Sequence, residues 1–181
     1  RQLFERTLKL KPDPLYKKEF AKRISLGNFD EDLPRIADCD WVIEVIIENL
    51  EIKKSLYEKI EIYRKPDTLI TTNTSGIPIQ TLTVGRSENF KQHFCGTHFF
   101  NPPRYLKLLE IIPAKETLTE VVDFLKEYGE RFLGKSVVTC KDTPAFIANR
   151  VGIYSMMSVV HLMEEMDFSI EEIDKLTGTI I

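Results

Sequence analysis

The sequence predicts an α/β fold: the later part of a doubly wound sheet, followed by the start of an all-helical domain. Two β-branched runs, residues 41–47 and 68–73, flank an amphipathic helical stretch, which is the pattern of a parallel strand–helix–strand unit. Strand and helix signals keep alternating up to Cys140, and at Asp142-Thr143-Pro144 they give way to one long helical pattern. The expected division is therefore one domain over residues 1–142 and a helical one beginning at 143 and continuing to 181.

Taken in order, Pro14 suits the first position of a helix from about Asp13 to Leu26, which Gly27-Asn28 would end. Residues 30–40 are acidic and read as a loop with a short helical turn. Residues 41–47 are almost wholly apolar, as in a strand buried on both faces. Asn49 can cap the next helix, whose Ile52, Leu56, Ile60 and Tyr63 mark one face. After the strand at 68–73 come the turn Asn73-Thr74-Ser75-Gly76, a short segment through Leu82, and a polar loop with Gly85-Arg86-Ser87. Strands are expected at 94–99 and 106–112, then a helix opened by Thr117 or Thr119 and closed by Gly134, then a last strand at 135–140. The 144–165 stretch, with Phe146, Ile147, Val151, Tyr154, Met157 and Val160, is apolar around most of a helix, so other helices or a second subunit must cover it. Ser169-x-x-Glu172 is a capping box for another helix.

With 43% hydrophobic and 29% charged residues, the 181-residue chain has an ordinary globular composition. A net charge of -3 gives no general attraction to nucleic acid or anionic membrane. Cys39, Cys95 and Cys140 form no CxxC and no metal-ligand spacing, so no metal site is expected, and reduced thiols in the cytoplasm are. No stretch approaches the roughly 18 apolar residues of a membrane span. The chain begins without methionine in charged sequence, and we expect it to be a piece of a longer one. None of its glycines forms a GxGxxG phosphate cradle.

The stretch from Gly96 to Pro113 carries the chemistry. Two apolar runs, each with one ionisable residue, are joined by a proline-containing turn. If they lie side by side, His98 and Glu110 meet as an imidazole–carboxylate pair, and the histidine becomes a positioned base. The bland alternative is a satisfied histidine within a sheet and a surface glutamate. Ser75 follows a strand's carboxyl end, where ligands of doubly wound sheets bind, although its turn composition also suits a simple loop.

His98-Phe99-Phe100-Asn101-Pro102, Lys107-Leu108-Leu109-Glu110 and Lys141-Asp142-Thr143-Pro144-x-Phe146-Ile147-x-Asn149-Arg150 together resemble the L-3-hydroxyacyl-CoA dehydrogenase family. Val42-Ile43-Glu44-x-Ile46-x-Glu48-Asn49 and Asn73-Thr74-Ser75 resemble the same family's second nucleotide-binding half, and all the motifs stand in family order. The stretch 96–113 is most similar to bacterial multifunctional fatty-acid oxidation proteins, in which an enoyl-CoA hydratase is fused to the dehydrogenase. The resemblance implies a partial doubly wound, Rossmann-type domain lacking its first βαβ unit, followed by the start of the all-helical domain that supplies the homodimer contacts. It implies NAD as cofactor, an acyl-CoA as substrate, and oxidation of L-3-hydroxyacyl-CoA to 3-ketoacyl-CoA in fatty-acid β-oxidation. By the same resemblance His98 is the general base and Glu110 its orienter. Ser75 donates to the substrate oxygen and the cofactor side, and Asn149 bonds the substrate near the reacting carbon. Val45, Glu48, Lys53 and Asn101 match cofactor contacts. Read as residues alone, Glu48 and Lys53 also suit a solvated helix start, and Asn149 an amide facing solvent or tying two helices. Arg104 and Tyr105 either touch the acyl-CoA or face solvent. The alternatives are a 3-hydroxybutyryl-CoA dehydrogenase, or a non-catalytic scaffold or dimerisation module.

Overall fold

In the computed structural model, which describes residues 2–178, the amino-terminal segment forms less helix than the sequence predicts. It contains α1 (Gln2–Thr7) and a 3-10 helix at Lys18–Arg23, and no helix spans 13–26. The 3-10 helix buries none of its residues, so no tertiary contact offsets the cost of nucleating a longer one. What anchors the segment is polar. Arg104 donates to the carbonyls of Asp13 (2.6 Å) and Leu15 (2.8 Å), and the Tyr105 hydroxyl donates to Asp13 (2.9 Å). The turn expected in the acidic loop is a second 3-10 helix, Leu33–Asp38.

The strand–helix–strand unit forms as β1 (Trp41–Glu44), α2 (Leu50–Tyr63) and β2 (Leu69–Thr72), with β1 and β2 parallel. Two details differ from the sequence reading. First, β1 stops at Glu44 and is not buried on both faces: it lies at the sheet edge, Ile43 and Ile47 are exposed, and Val45 is 69% exposed. Second, α2 buries Lys53, Tyr57 and Ile60 while Ile52 and Tyr63 remain exposed. The buried face is rotated by one position because Lys53, which a hydrophobicity pattern counts as surface, is neutralised beneath the sheet by Glu44. The Asn49 side chain accepts from the Ile52 amide, as a cap should.

From β2 the chain passes through α3 (Ile79–Leu82) and α4 (Glu88–Gln92) into β3 (Phe94–Phe99), which is parallel to β2. β4 (Leu108–Pro113) then runs antiparallel to β3, and α5 (Thr119–Arg131) leads to β5 (Ser136–Thr139), parallel to β4. The strands lie in the order β1-β2-β3-β4-β5. Gly134, with φ 63°, provides the left-handed residue that ends α5. One core lies on the α2–α4 side around Tyr57, Ile70, Phe90 and Phe94. The other lies under α5 around Leu69, Leu109, Ile111 and Leu125.

The last two helices are α6 (Ala148–Glu165) and α7 (Ile170–Thr177), the latter opened by the expected Ser169/Glu172 capping box. α6 starts later than the apolar pattern suggests, because Ala145 and Phe146 have φ of 64° and 48° and make a turn. Phe146 turns into the first core instead of joining the helix. Val151, Tyr154 and Met156 on α6 are exposed.

Phe94 is fully buried between Tyr57 and Phe90, with ring centroids 5.2 and 5.3 Å away. Phe94→Ala is expected to cost about 3–5 kcal/mol in urea unfolding. Phe124→Ala, at a ring that is 49% exposed on α5, is expected to cost clearly less than that. Equal losses would contradict this division of core and surface.

Candidate active site

β1, β2 and β3 are parallel, so their carboxyl ends open on one side of the sheet, and the loops that follow them meet there. Antiparallel pairing of β3 with β4 sets His98 directly opposite Glu110. Both are buried, and His98 Nδ1 lies 2.7 Å from Glu110 Oε2. A carboxylate can only accept, so the ring proton sits on Nδ1 and the Nε2 lone pair faces the crevice. Ser75 Oγ is 3.1 Å from Nε2 and donates to it. Phe100 and Phe146 flank the ring at 4.5 and 5.6 Å between centroids, leaving an apolar wall around the imidazole.

The other Glu110 oxygen, Oε1, accepts from the amides of Ile147 (3.0 Å) and Ala148 (2.8 Å). These amides open α6, whose dipole favours negative charge at that end. Asn149 follows immediately and is half-buried in the first turn of α6. It is therefore not in a helix interior, where the sequence pattern put it. Cys140 lies beside the same acid: burial, then the charge of Glu110, pushes its thiol up to about 11.

Ser75 is held by its backbone. Oε1 of Glu48 accepts from the amides of Ser75 (3.0 Å), Gly76 (3.1 Å) and Ile77 (3.4 Å) and from the Thr74 hydroxyl. Partial burial raises the Glu48 carboxyl, but the bonds from Thr74, Gly76 and Ser75 and the charge of Lys53 outweigh it and leave it below its ordinary value of 4.5. Lys53 is only 1% exposed, with its ammonium beside the carboxylates of Glu44 and Glu48. Lys53 Nζ bonds both oxygens of Glu44 (2.8 and 2.9 Å) and lies 3.5 Å from Glu48 Oε2.

Val45 and Asn101 are exposed beside the crevice, in the loops after β1 and β3. Arg104 is half-buried and Tyr105 is exposed, and both bond the amino-terminal segment. His93 donates from Nδ1 to the Asn89 carbonyl at 2.9 Å, away from the site. Two residues without a role in the sequence reading turn out to support the site. Glu44 anchors Lys53, and Asn73 Oδ1 accepts from the Phe99 amide at 2.8 Å, beside His98. The available signal for Glu44 was a lone acid in an apolar run, with Lys53 and Tyr57 one helical turn apart to receive it. Among the described residues no group of His, Cys, Asp and Glu is arranged to hold a metal ion.

Residues 3–143 match the model of the 3-hydroxyacyl-CoA dehydrogenase NAD binding domain. The chain is 47% identical over its whole length to a probable 3-hydroxyacyl-CoA dehydrogenase of Bacillus subtilis, and spans 23% of that protein. It is 45% identical over 162 residues, 88% of this chain, to a putative fatty acid oxidation complex trifunctional enzyme of Rickettsia felis, and covers 22% of it. Among solved structures, 3-hydroxybutyryl-CoA dehydrogenase from Escherichia coli K12 superposes with a TM-score of 0.73 at 31% identity, over 91% of this chain and 34% of that one. The chain thus spans about a quarter to a third of these relatives.

Glu48 and Ser75 meet in the loop that follows β2, and Val45 and Asn101 are exposed in the loops that follow β1 and β3. The pyrophosphate end of NAD finds no glycine-rich strand–turn–helix cradle among the described residues, and the amino end of α2 is capped by Asn49.

The depressed Glu48 carboxyl makes a pH prediction. A group whose folded-state pKa lies below its unfolded value contributes stability that is complete above the unfolded value and is lost as pH falls through the folded one. Amide protection at Ser75 and Gly76 should therefore survive acidification to 4.5 and disappear only below it. Glu48→Ala should abolish that protection at every pH. Hydrogen-exchange protection factors measured against pH check both, and protection lost well above 4.5 would contradict the assignment.

Proposed function

The chain belongs to the 3-hydroxyacyl-CoA dehydrogenase family by its NAD-binding domain, and from that membership we propose that the protein it comes from oxidises L-3-hydroxyacyl-CoA to 3-ketoacyl-CoA in fatty-acid β-oxidation. The observation that carries this reading is the unbroken relay Ser75–His98–Glu110 at the mouth of the sheet, with bond lengths of 3.1 and 2.7 Å.

Oxidising a secondary alcohol removes a proton from oxygen and a hydride from carbon, and leaves a carbonyl. NAD, when bound, supplies the hydride acceptor. His98 Nε2 takes the alcohol proton, with the substrate hydroxyl replacing that of Ser75 on the lone pair. Glu110 holds the ring in the tautomer that leaves Nε2 free, and its charge favours the imidazolium that results. The Ser75 hydroxyl, once released from His98, donates to the substrate oxygen. Asn149 bonds the substrate near C3 from the first turn of α6. Val45, Glu48, Lys53, Ser75 and Asn101 hold the nicotinamide end, with Lys53 also bonded to Glu44 and close to Glu48. The Phe100 and Phe146 rings keep water from the imidazole.

Residues 143–181, of which 179–181 lie outside the described residues, are in this proposal the start of the helical domain that forms a homodimer, a role supported by the exposed Val151, Tyr154 and Met156 of α6. A fused enoyl-CoA hydratase accords with the trifunctional relative's name. No described helix is long and apolar enough to cross a membrane. Three free cysteines suit the reducing cytoplasm that we assign to the protein.

The test is reduction of acetoacetyl-CoA by the complete protein, followed as loss of NADH absorbance. His98→Gln should lower kcat by roughly 10²–10⁴, with KM for the acyl-CoA little changed. Glu110→Gln should lower it as well. Undiminished turnover by His98→Gln would remove His98 as the proton acceptor, and no turnover by the wild-type protein would favour a scaffold role.

A further inference from the structure

We infer that Glu44 is a positioning residue for the Ser75 hydroxyl, acting from beneath the crevice through two hydrogen-bonded routes; the inference rests on the dehydrogenase reading above. Glu44 lies at the end of β1 with its side chain fully buried. Its Oε1 accepts from the Ile46 amide (2.6 Å) and Lys53 Nζ (2.8 Å). Its Oε2 accepts from Lys53 Nζ (2.9 Å), the Tyr57 hydroxyl (2.7 Å) and the Thr72 hydroxyl (2.7 Å).

Stability alone is a poor account of such a group. A buried ion pair is on average no better for folding than apolar residues of the same volume, because desolvating the charges cancels most of their attraction. The direction of the contacts is more informative, since both routes out of Glu44 end on the loop that carries Ser75. By the first route, Lys53 is fixed on Glu44 with its ammonium 3.5 Å from Glu48 Oε2 and 3.4 Å from the Ile46 carbonyl. The other oxygen of Glu48 collects the amides of Ser75, Gly76 and Ile77. By the second route, the Thr72 hydroxyl gives its proton to Glu44 and so presents its lone pair to the Thr74 amide at 3.3 Å. Ser75 and Gly76 are exposed, so packing does not hold the turn. Its position is set by Glu48 and Thr72, and Glu44 orients both.

Losing the Glu44 charge would free Lys53 to swing fully onto Glu48, pulling that carboxylate off the loop amides. It would also free the Thr72 hydroxyl to rotate. Ser75 Oγ would then no longer be held 3.1 Å from His98 Nε2. In the proposed mechanism Ser75 meets the substrate only at the reacting oxygen, so the loss should fall on kcat more than on KM.

The experiment is a double-mutant cycle in the complete protein, with acetoacetyl-CoA and NADH as substrates and thermal unfolding recorded for every variant. Glu44→Gln should lower kcat about tenfold or more while KM for acetoacetyl-CoA stays within about threefold. Added to Ser75→Ala, it should lower kcat by less than about twofold further, because the hydroxyl it positions is already gone. Multiplying effects, or a kcat within about twofold of wild type for Glu44→Gln, would overturn the inference and leave Glu44 a structural residue. Where Glu44→Gln does not fold, Thr72→Val takes its place in the same cycle, with the same two outcomes deciding. His98→Gln is assayed alongside. Full activity in that variant refutes the proton-acceptor reading, whereas multiplying effects with an inactive His98→Gln refute only the positioning role.

Discussion

The buried carboxylate of Glu110 is the constraint on which the rest of the site depends. An acid taken out of water without partners costs several kcal/mol, so every donor that reaches it carries part of the fold's specificity. Glu110 draws its donors from different parts of the chain: His98 on β3, and the Ile147 and Ala148 amides at the start of α6. Side chains alternate along a strand, so a one-residue slip of β3 against β4 would send His98 to the opposite face and bring Thr97 or Phe99 to the acid. Neither offers an imidazole. The register that buries the core and the register that pairs His98 with Glu110 are therefore the same register.

The crevice itself exists because the sheet stops pairing at its carboxyl edge. The β2–β3 ladder ends at Thr72 opposite Gly96. Beyond it the Phe99 amide is met by the Asn73 side chain, not by a backbone carbonyl. This lets the two strands part while their ends remain tied, which leaves room for Ser75 above His98. Gly96 is part of the same economy. A Cβ there would stand 2.8 Å from Ile79 and 3.0 Å from Ile112, so the close approach of α3 to the sheet needs glycine.

How much of this was legible in the sequence follows from which residues obey periodic rules. His98 and Glu110 sit in short apolar runs joined by a turn, and for such runs antiparallel pairing is the simple solution. The strand–helix–strand unit was legible because β-branched density and helical spacing differ sharply. The buried face of α2 was not, because Lys53 hides in the core as half of an ion pair, and hydrophobic patterning has no symbol for a neutralised lysine. The amino-terminal helix failed for a different reason. Proline and glycine mark where a helix would begin and end, yet residues 18–23 bury nothing, and termini without a packed face do not make a helix. Glu48 lay between these cases: its motif pointed to the crevice, but its hold on the amides of residues 75–77 is a loop geometry that no spacing rule encodes.

The placement of α6 gives the His98–Glu110 pair a mechanical side. Its first amides fill one oxygen of Glu110 while His98 fills the other, so the helix and the imidazole share one acid. Displacing α6 would strip Glu110 of the Ile147 and Ala148 amides, each a charge-assisted bond of roughly 1.5–3 kcal/mol. The carboxylate would then have to turn toward other donors, and the His98 ring that leans on it would turn with it. Asn149 stands one residue beyond those amides, so the same displacement would move it as well. The contacts between the sheet and the helical segment are therefore of one piece with the site: where the helix docks, Glu110 is held and the His98 ring is oriented.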